Sequence, residues 1–265
     1  MIKLPEYKST DEALRLVTAD GKEFILPYAW SVDGENSLEM RSKTEERALS
    51  HGGVDVGDYK AKPKTLDIDF YIKAKSRAEF DRAFDEIKGY FVKQNYKLYV
   101  GRANQYYRVS RLAKIKDKFL PGYKGRYSDA SITVRCTDPF RYSDDRIEKV
   151  IKVESQAGAE GFEIKIDNLG NVDAPLVVSF TPESVMSSIE MTSEQTKDFF
   201  TVQDTMLVSG NTLTVDGERS TVYRGSSNAI STFSGVFLSL AAGENVLKYK
   251  GAPGEITLKY TPRWW

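Results

Sequence analysis

Thr65-Leu-Asp-Ile-Asp-Phe-Tyr-Ile-Lys73, followed at once by Ser76-Arg-Ala-Glu-Phe80-Asp-Arg-Ala-Phe84-Asp-Glu-Ile87-Lys-Gly-Tyr-Phe91, carries the periodicities of strand and helix side by side. In the first segment apolar and charged residues alternate, so Leu66, Ile68, Phe70 and Ile72 share one face of a strand while Asp67 and Asp69 share the other. Two carboxylates on one face invite an acid–base reading. No histidine or metal-ligand cluster accompanies them in sequence, so a solvated outward face is the expectation. In the second segment Phe80, Phe84, Ile87 and Phe91 recur at spacings of four, three and four, which makes one apolar stripe that lies against a sheet. Ser76-Arg-Ala-Glu79 has the capping-box pattern, in which serine and glutamate satisfy each other's orphan amides, and a helix over about 76–93 follows.

Upstream, Leu14-Arg-Leu-Val-Thr18 and Glu23-Phe-Ile-Leu26 flank Asp20-Gly21, which predicts a hairpin with a two-residue turn. The polar stretch Ser31–Lys62 follows, with the charged run Arg41–Arg47 and the glycine-rich Ser50-His51-Gly52-Gly53 through Gly57-Asp58. Polar insertions of that length inside a compact domain are seldom idle, and this one predicts a protruding arm that serves as a partner surface. Downstream, strands are expected around Tyr96–Val100, Gln105–Leu112 and Ser128–Thr137, ending at Asp138-Pro139, where proline stops a strand from continuing inside a sheet.

From about Arg146 the texture changes to short strands broken by Gly, Asn and Asp, with no helical period, which argues for a β-sandwich or jelly roll. Strands are expected at 147–153, 161–168, 176–181, 187–191 and 255–260, with hairpins at Leu213–Tyr223 around Asp216-Gly217 and at Phe237–Tyr249 around Gly243-Glu-Asn245. The fold class is therefore mainly β with one helix in the first domain. The domains are expected at 1–145, carrying the arm at about 31–62, and at 146–265, the sandwich.

Acids and bases balance at 38 each over 265 residues, so no global attraction to nucleic acid or an anionic membrane is expected. The balance hides an asymmetry: 29 Lys+Arg against 24 Asp+Glu up to Val150, and 9 against 14 beyond it. One cysteine, Cys136, excludes an intrachain disulfide, and its place in an alternating strand predicts a buried thiol rather than a nucleophile. The single histidine, His51, has no companion for metal or for nucleophilic catalysis, and two glycines after it suggest a turn or interface residue. No phosphate-cradling glycine loop and no nucleophile elbow occurs, so no catalytic, cofactor-binding or metal-binding residue is assigned. Met1-Ile-Lys-Leu-Pro-Glu6 lacks a signal peptide's apolar core and no stretch is long enough to span a bilayer, so a soluble protein not exported by the general route is expected. Tyr106-Tyr107, and Tyr123 to Tyr127 with Lys124 and Arg126 between, have the mixture that single-stranded nucleic acid wants; packing within strands is the preferred reading.

Three stretches resemble the distal tail protein family of siphophages. They are the arm (Asp33-Gly34, Arg41-Ser42-Lys43, Ser50–Gly53, Gly57-Asp58), the strand Ile132–Thr137 running into Asp138-Pro139-Phe140-Arg-Tyr142, and the second half. There the likeness runs through Ile166-Asp-Asn168-Leu-Gly170-Asn171 to Ala174-Pro175, Leu213-Thr-Val-Asp216, Leu240–Asn245 and the close on Tyr260-Thr-Pro-Arg263-Trp264-Trp265. The resemblance implies a ring-forming belt domain followed by a galectin-like sandwich. It implies a non-enzymatic hub of a phage or prophage virion, made in the host cytoplasm, whose hexameric ring joins the tail tube to the tip and leaves a channel for DNA. The implied partners are further copies of the chain, the major tail tube protein, a tail-tip hydrolase or fibre protein and a receptor-binding protein, with no cofactor, no specific nucleic-acid binding and no membrane. An arm that reaches the next subunit builds such a ring, which makes Arg41, Lys43, Glu45, Glu46 and Arg47 the candidate interface residues. The rival reading is a carbohydrate-binding β-sandwich protein of an adhesion device, served by exposed aromatics and Trp264-Trp265.

Overall fold

The computed structural model describes residues 13–48, 51–58, 60–119, 121–123, 125–154 and 161–265; Met1–Glu6, Ser50 and Lys124 lie outside the described residues. The chain divides into two compact units, one up to Tyr142 together with Trp265, the other Ser143–Trp264. As expected, the chain is mainly β, with one α-helix among the described residues.

The first unit holds β1 (Leu14–Val17), β2 (Glu23–Ile25), β3 (Ala29–Asp33), β4 (Thr44–Glu46), β5 (Gly53–Asp55), β6 (Lys64–Lys73), α1 (Arg77–Phe91), β7 (Tyr96–Val100), β8 (Gln105–Val109), β9 (Arg111–Phe119), β10 (Tyr127–Cys136) and β11 (Arg141–Ser143). One sheet runs β2-β1-β7-β8-β11 and the other β3-β6-β10-β9, while β4 and β5 pair only with each other. The alternation of β6 is realised: Leu66, Ile68, Phe70 and Ile72 are buried with Ile132, Val134 and Cys136 of β10, Leu14 and Leu16 of β1, Leu98 of β7 and Val109 of β8. The helix adds Phe80, Phe84, Ile87 and Phe91 to that core, each contributing about 1.5–3 kcal/mol by leaving water.

Three local expectations are corrected. The Ser76 hydroxyl accepts from the Glu79 amide at 3.2 Å, but the Glu79 carboxylate reaches past Ser76 to the Lys75 amide at 2.7 Å, so the cap satisfies a donor one residue further out. The first hairpin closes through Ala19–Gly21, because the Thr18 amide bonds the Lys22 carbonyl at 2.9 Å and Gly21 (φ 77°) takes the left-handed residue of a three-residue loop. Arg111–Phe119 is a separate strand where a loop follows Leu112 in the sequence reading; its alternation is interrupted by a bulge, Leu112 and Lys114 facing the consecutive Val134 and Thr133.

The second unit holds β12 (Ile147–Val153), β13 (Phe162–Asn168), β14 (Ala174–Pro175), β15 (Val177–Pro182), β16 (Met186–Ser193), β17 (Phe199–Leu207), β18 (Leu213–Asp216), β19 (Thr221–Arg224), β20 (Ser227–Asn228), β21 (Phe233–Gly235), β22 (Ser239–Leu240), β23 (Gly243–Lys250), β24 (Gly254–Tyr260) and β25 (Arg263–Trp264). Sheets β12-β24-β15-β18-β19-β20 and β13-β23-β16-β17-β21 enclose one core that includes Phe180, Phe200, Leu247, Tyr249 and Leu258, which is the expected sandwich. The predicted hairpin at Phe237–Tyr249 does not form. Ser239–Leu240 pairs with Ala174–Pro175 and β23 with β13, because the Asn245 side chain closes a tight turn on the backbone of Ala241 (2.9 and 2.8 Å) and Gly243 (2.7 Å) and turns the chain into the other sheet.

In the second unit the stretches that carry the resemblance are held by buried hydrogen bonds. Asn168 is buried, donates to the carbonyls of Val172 (2.9 Å) and Leu240 (3.1 Å) and accepts from the Gly170 amide (3.0 Å), which fixes the loop into Ala174-Pro175. The Tyr260 hydroxyl donates to the Asp167 carbonyl, and the Arg263 guanidinium to the Asp173 carbonyl.

Candidate assembly surface

The arm is a two-stranded ribbon. Its rungs are the Arg41 amide to the Lys60 carbonyl (2.7 Å), the Lys62 amide to the Glu39 carbonyl (2.8 Å), the Val56 amide to the Lys43 carbonyl (2.8 Å) and the β4–β5 pairing of Glu45 with Val54. Among the described residues it has no core: Ser37–Ala48 are all exposed, including Leu38 (50 %) and Met40 (38 %). A lone ribbon of this kind is marginal in water.

Its root, by contrast, is tightly held. Lys64 Nζ (2.7 Å) and the Tyr107 hydroxyl (2.9 Å) both donate to the Glu35 carbonyl, and the Glu35 carboxylate pairs with Arg102. Burial, with Arg141 nearby, pushes the Lys64 pKa below its usual value. Gly34 (φ 86°) allows the close turn; a Cβ there would stand 2.4 Å from the Thr65 carbonyl oxygen.

The five residues singled out by sequence all lie exposed on this ribbon. Arg41 pairs with Asp58 at 3.3 Å and Lys43 with Glu45 at 2.7 Å, solvated pairs that contribute little to stability. The structure gives neither Glu46 nor Arg47 an ion pair among the described residues.

A second surface was not anticipated. The outward face of β3-β6-β10-β9 is graded in charge, because register aligns its residues in rows: Lys114–Thr133–Asp67–Asp33, then Lys116–Ser131–Asp69–Ser31, then Lys118–Asp129–Tyr71. One edge, β9, carries an exposed comb of Lys114, Lys116 and Lys118; toward the other edge stand Asp67, Asp69 and Asp33. Like charges side by side on a strand are unfavourable, and Lys116 pushes the pKa of Lys114 down. No carboxylate of the described residues comes within 4.0 Å of the comb. Asp67 accepts from Thr133, so the pair read as merely solvated lies on a structured face. The signal was present as Lys114-x-Lys116-x-Lys118, strand spacing with one charge sign.

The tyrosines divide: Tyr106 and Tyr107 pack within strands as expected, whereas Tyr123 lies in a short 3-10 turn and is 61 % exposed. Tyr106 and Tyr107 are both buried. Arg15, Lys97 and Arg108 lie 3.8, 4.3 and 3.7 Å from the ring centroids of Tyr99, Tyr106 and Tyr142. Tyr28, Tyr71, Tyr127 and Tyr123 form a ladder with successive centroids 4.5, 5.8 and 5.4 Å apart. Cys136 is wholly buried, and burial pushes its thiol up to about 12, which makes it unreactive. His51 is exposed between β4 and β5. Trp265 packs edge-on against Phe140, centroids 4.8 Å apart. Among the described residues no group of three or more His, Cys, Asp or Glu could hold a metal ion, and no helix is long and apolar enough to cross a membrane.

Residues 169–264 match the family model of the siphovirus-type tail component, C-terminal domain. No curated protein sequence matches. Among solved structures the fold is similar to SPP1 Dit, described as a paradigm of hub adsorption apparatus in Gram-positive infecting phages, with a TM-score of 0.74 at 12% identity, covering 95% of this chain and 99% of that one. The class of fold is a β-rich first unit with one helix, followed by a β-sandwich that matches the tail-component domain. Residues 169–264 are thus similar to siphovirus-type tail components, and over both units the fold is similar to that of SPP1 Dit.

Proposed function

We propose that this chain is the hub of a siphophage tail tip, closing into a hexameric ring that joins the tail tube to the tip and leaves a channel for DNA. The reading rests on the graded sheet: a face cationic at one edge and anionic toward the other is complementary to itself when copies are set head to tail, and a head-to-tail contact whose rotation closes makes a ring. The number six comes from the family resemblance. Arg41, Lys43, Glu45, Glu46 and Arg47 serve the same contact by carrying the arm onto the next copy, which covers a ribbon that has no core of its own. The first unit then belongs to the ring, and the sandwich is left for the tube protein, the tail-tip hydrolase or fibre and the receptor-binding protein. Assembly into the virion follows synthesis in the host cytoplasm. The test is negative-stain microscopy with sedimentation of the purified chain: six-membered rings with an open centre are expected, and a monomer at tens of micromolar would overturn the reading.

A further inference from the structure

Trp30 is 66 % exposed although it lies within a strand. The β3–β6 register passes from Ala29 opposite Phe70 to Ser31 opposite Asp69, so Trp30 has no residue facing it and is the extra residue of a bulge in an edge strand. The bulge also shifts the phase of the strand. Ala29 packs on the core before it and Val32 after it, while Ser31 and Asp33 take the outward rows. Two residues earlier, Tyr28 sits at φ 54°, a conformation that is uncommon for a side chain of its size, held by its ring stacked on Tyr71 at 4.5 Å. Two backbone irregularities thus combine to hold an indole clear of the ladder, beside the anionic rows of Ser31–Asp69 and Asp33–Asp67. Bulges recur where a side chain must be re-aimed, and large aromatics held in water mark binding anchors.

We infer that Trp30 seats this edge on the lysine comb of a second copy, its ring lying along the Lys114, Lys116 and Lys118 side chains of that copy's β9. This rests on the head-to-tail reading above and names its anchor. The second copy is the occupant that the charges select: the edge beside Trp30 is anionic, and the opposite edge of the same chain presents three exposed lysines with no carboxylate partner among the described residues. Lysine suits the indole twice over, since its four-carbon stem packs on the ring and its ammonium is attracted to the ring face, tryptophan being the strongest such acceptor.

The experiment measures self-association of the full chain by sedimentation for wild type, Trp30→Ala, Trp30→Phe, Lys116→Ala and the double variant Trp30→Ala/Lys116→Ala, with Val92→Ala, another exposed apolar residue, as control. Trp30→Ala is expected to weaken association about thirty-fold or more, as truncation of an interface anchor does. Trp30→Phe retains part of the affinity and Val92→Ala leaves it unchanged. The effects of Trp30→Ala and Lys116→Ala fail to add, as for residues in contact. Unchanged circular dichroism and melting show that each variant is folded, as a side chain outside the core predicts. Trp30→Ala assembling like wild type, or losses that add, would overturn the anchor while leaving the ring. A wild type that never associates overturns the ring reading and the anchor with it.

Discussion

Tyr96 and Tyr107 stand on adjacent strands with both rings in the first unit's core, yet their hydroxyls differ. Tyr107 donates to the Glu35 carbonyl, whereas the Tyr96 hydroxyl is buried with no partner among the described residues. Tyr96→Phe is therefore expected to leave stability unchanged or raise it by about 1 kcal/mol, and Tyr107→Phe to lower it by about 1 kcal/mol and loosen the arm's root, read by denaturant unfolding and hydrogen exchange of the arm. Cys136 gives a pH signature. Its thiol keeps its proton in the folded state up to about 12, against an ordinary value of 9.0, so the unfolded state releases the proton first and stability falls as pH rises from about 9 toward 12. Burial raises the pKa of Tyr96, Tyr107 and Tyr249 as well, which steepens the same loss. A thermal midpoint that held constant from pH 8 to 11, or a native thiol that reacted with a disulfide reagent at pH 8, would contradict this account.

At the scale of the element, β17 shows why some strands were hidden. Asp204 continues the inward phase of Phe200 and Val202, and there Arg224 of β19 reaches both carboxylate oxygens at 2.6 Å. Losing one partner of so buried a pair is expensive, so Arg224→Met is expected to lower the second unit's stability by about 3–5 kcal/mol in denaturant unfolding; a loss below about 1 kcal/mol would mean that the carboxylate finds water. A buried aspartate breaks the alternation on which strand reading depends, and the bulge in β9 does the same. The helix was legible because its cap, stripe and length are local. The Phe237–Tyr249 segment reads as a hairpin because a turn-like sequence does not disclose which sheet receives the next strand, and here the Asn245 side chain closes the turn that leads into β23. In the same way β6 showed its two faces, but only the pairing of β9, β10, β6 and β3 aligned lysines with aspartates into a graded surface. The arm's five charged residues are legible as exposed, whereas the comb takes its meaning only from the register that sets lysines opposite aspartates.

For the whole molecule the central claim is closure by complementary edges. Contacts between exposed charges weaken with salt, so the ring is expected to dissociate toward monomer between low salt and about 1 M, where screening acts within about 3 Å. The most direct measurement uses two variants, one with Lys114, Lys116 and Lys118 replaced by Glu, the other with Asp33, Asp67 and Asp69 replaced by Lys. The first is acidic at both edges and the second basic at both, so neither should close alone, while a one-to-one mixture can alternate around a ring with an even number of places. The account predicts monomers of each variant separately and rings on mixing. Rings from either variant alone, or monomers that persist in the mixture, would contradict it.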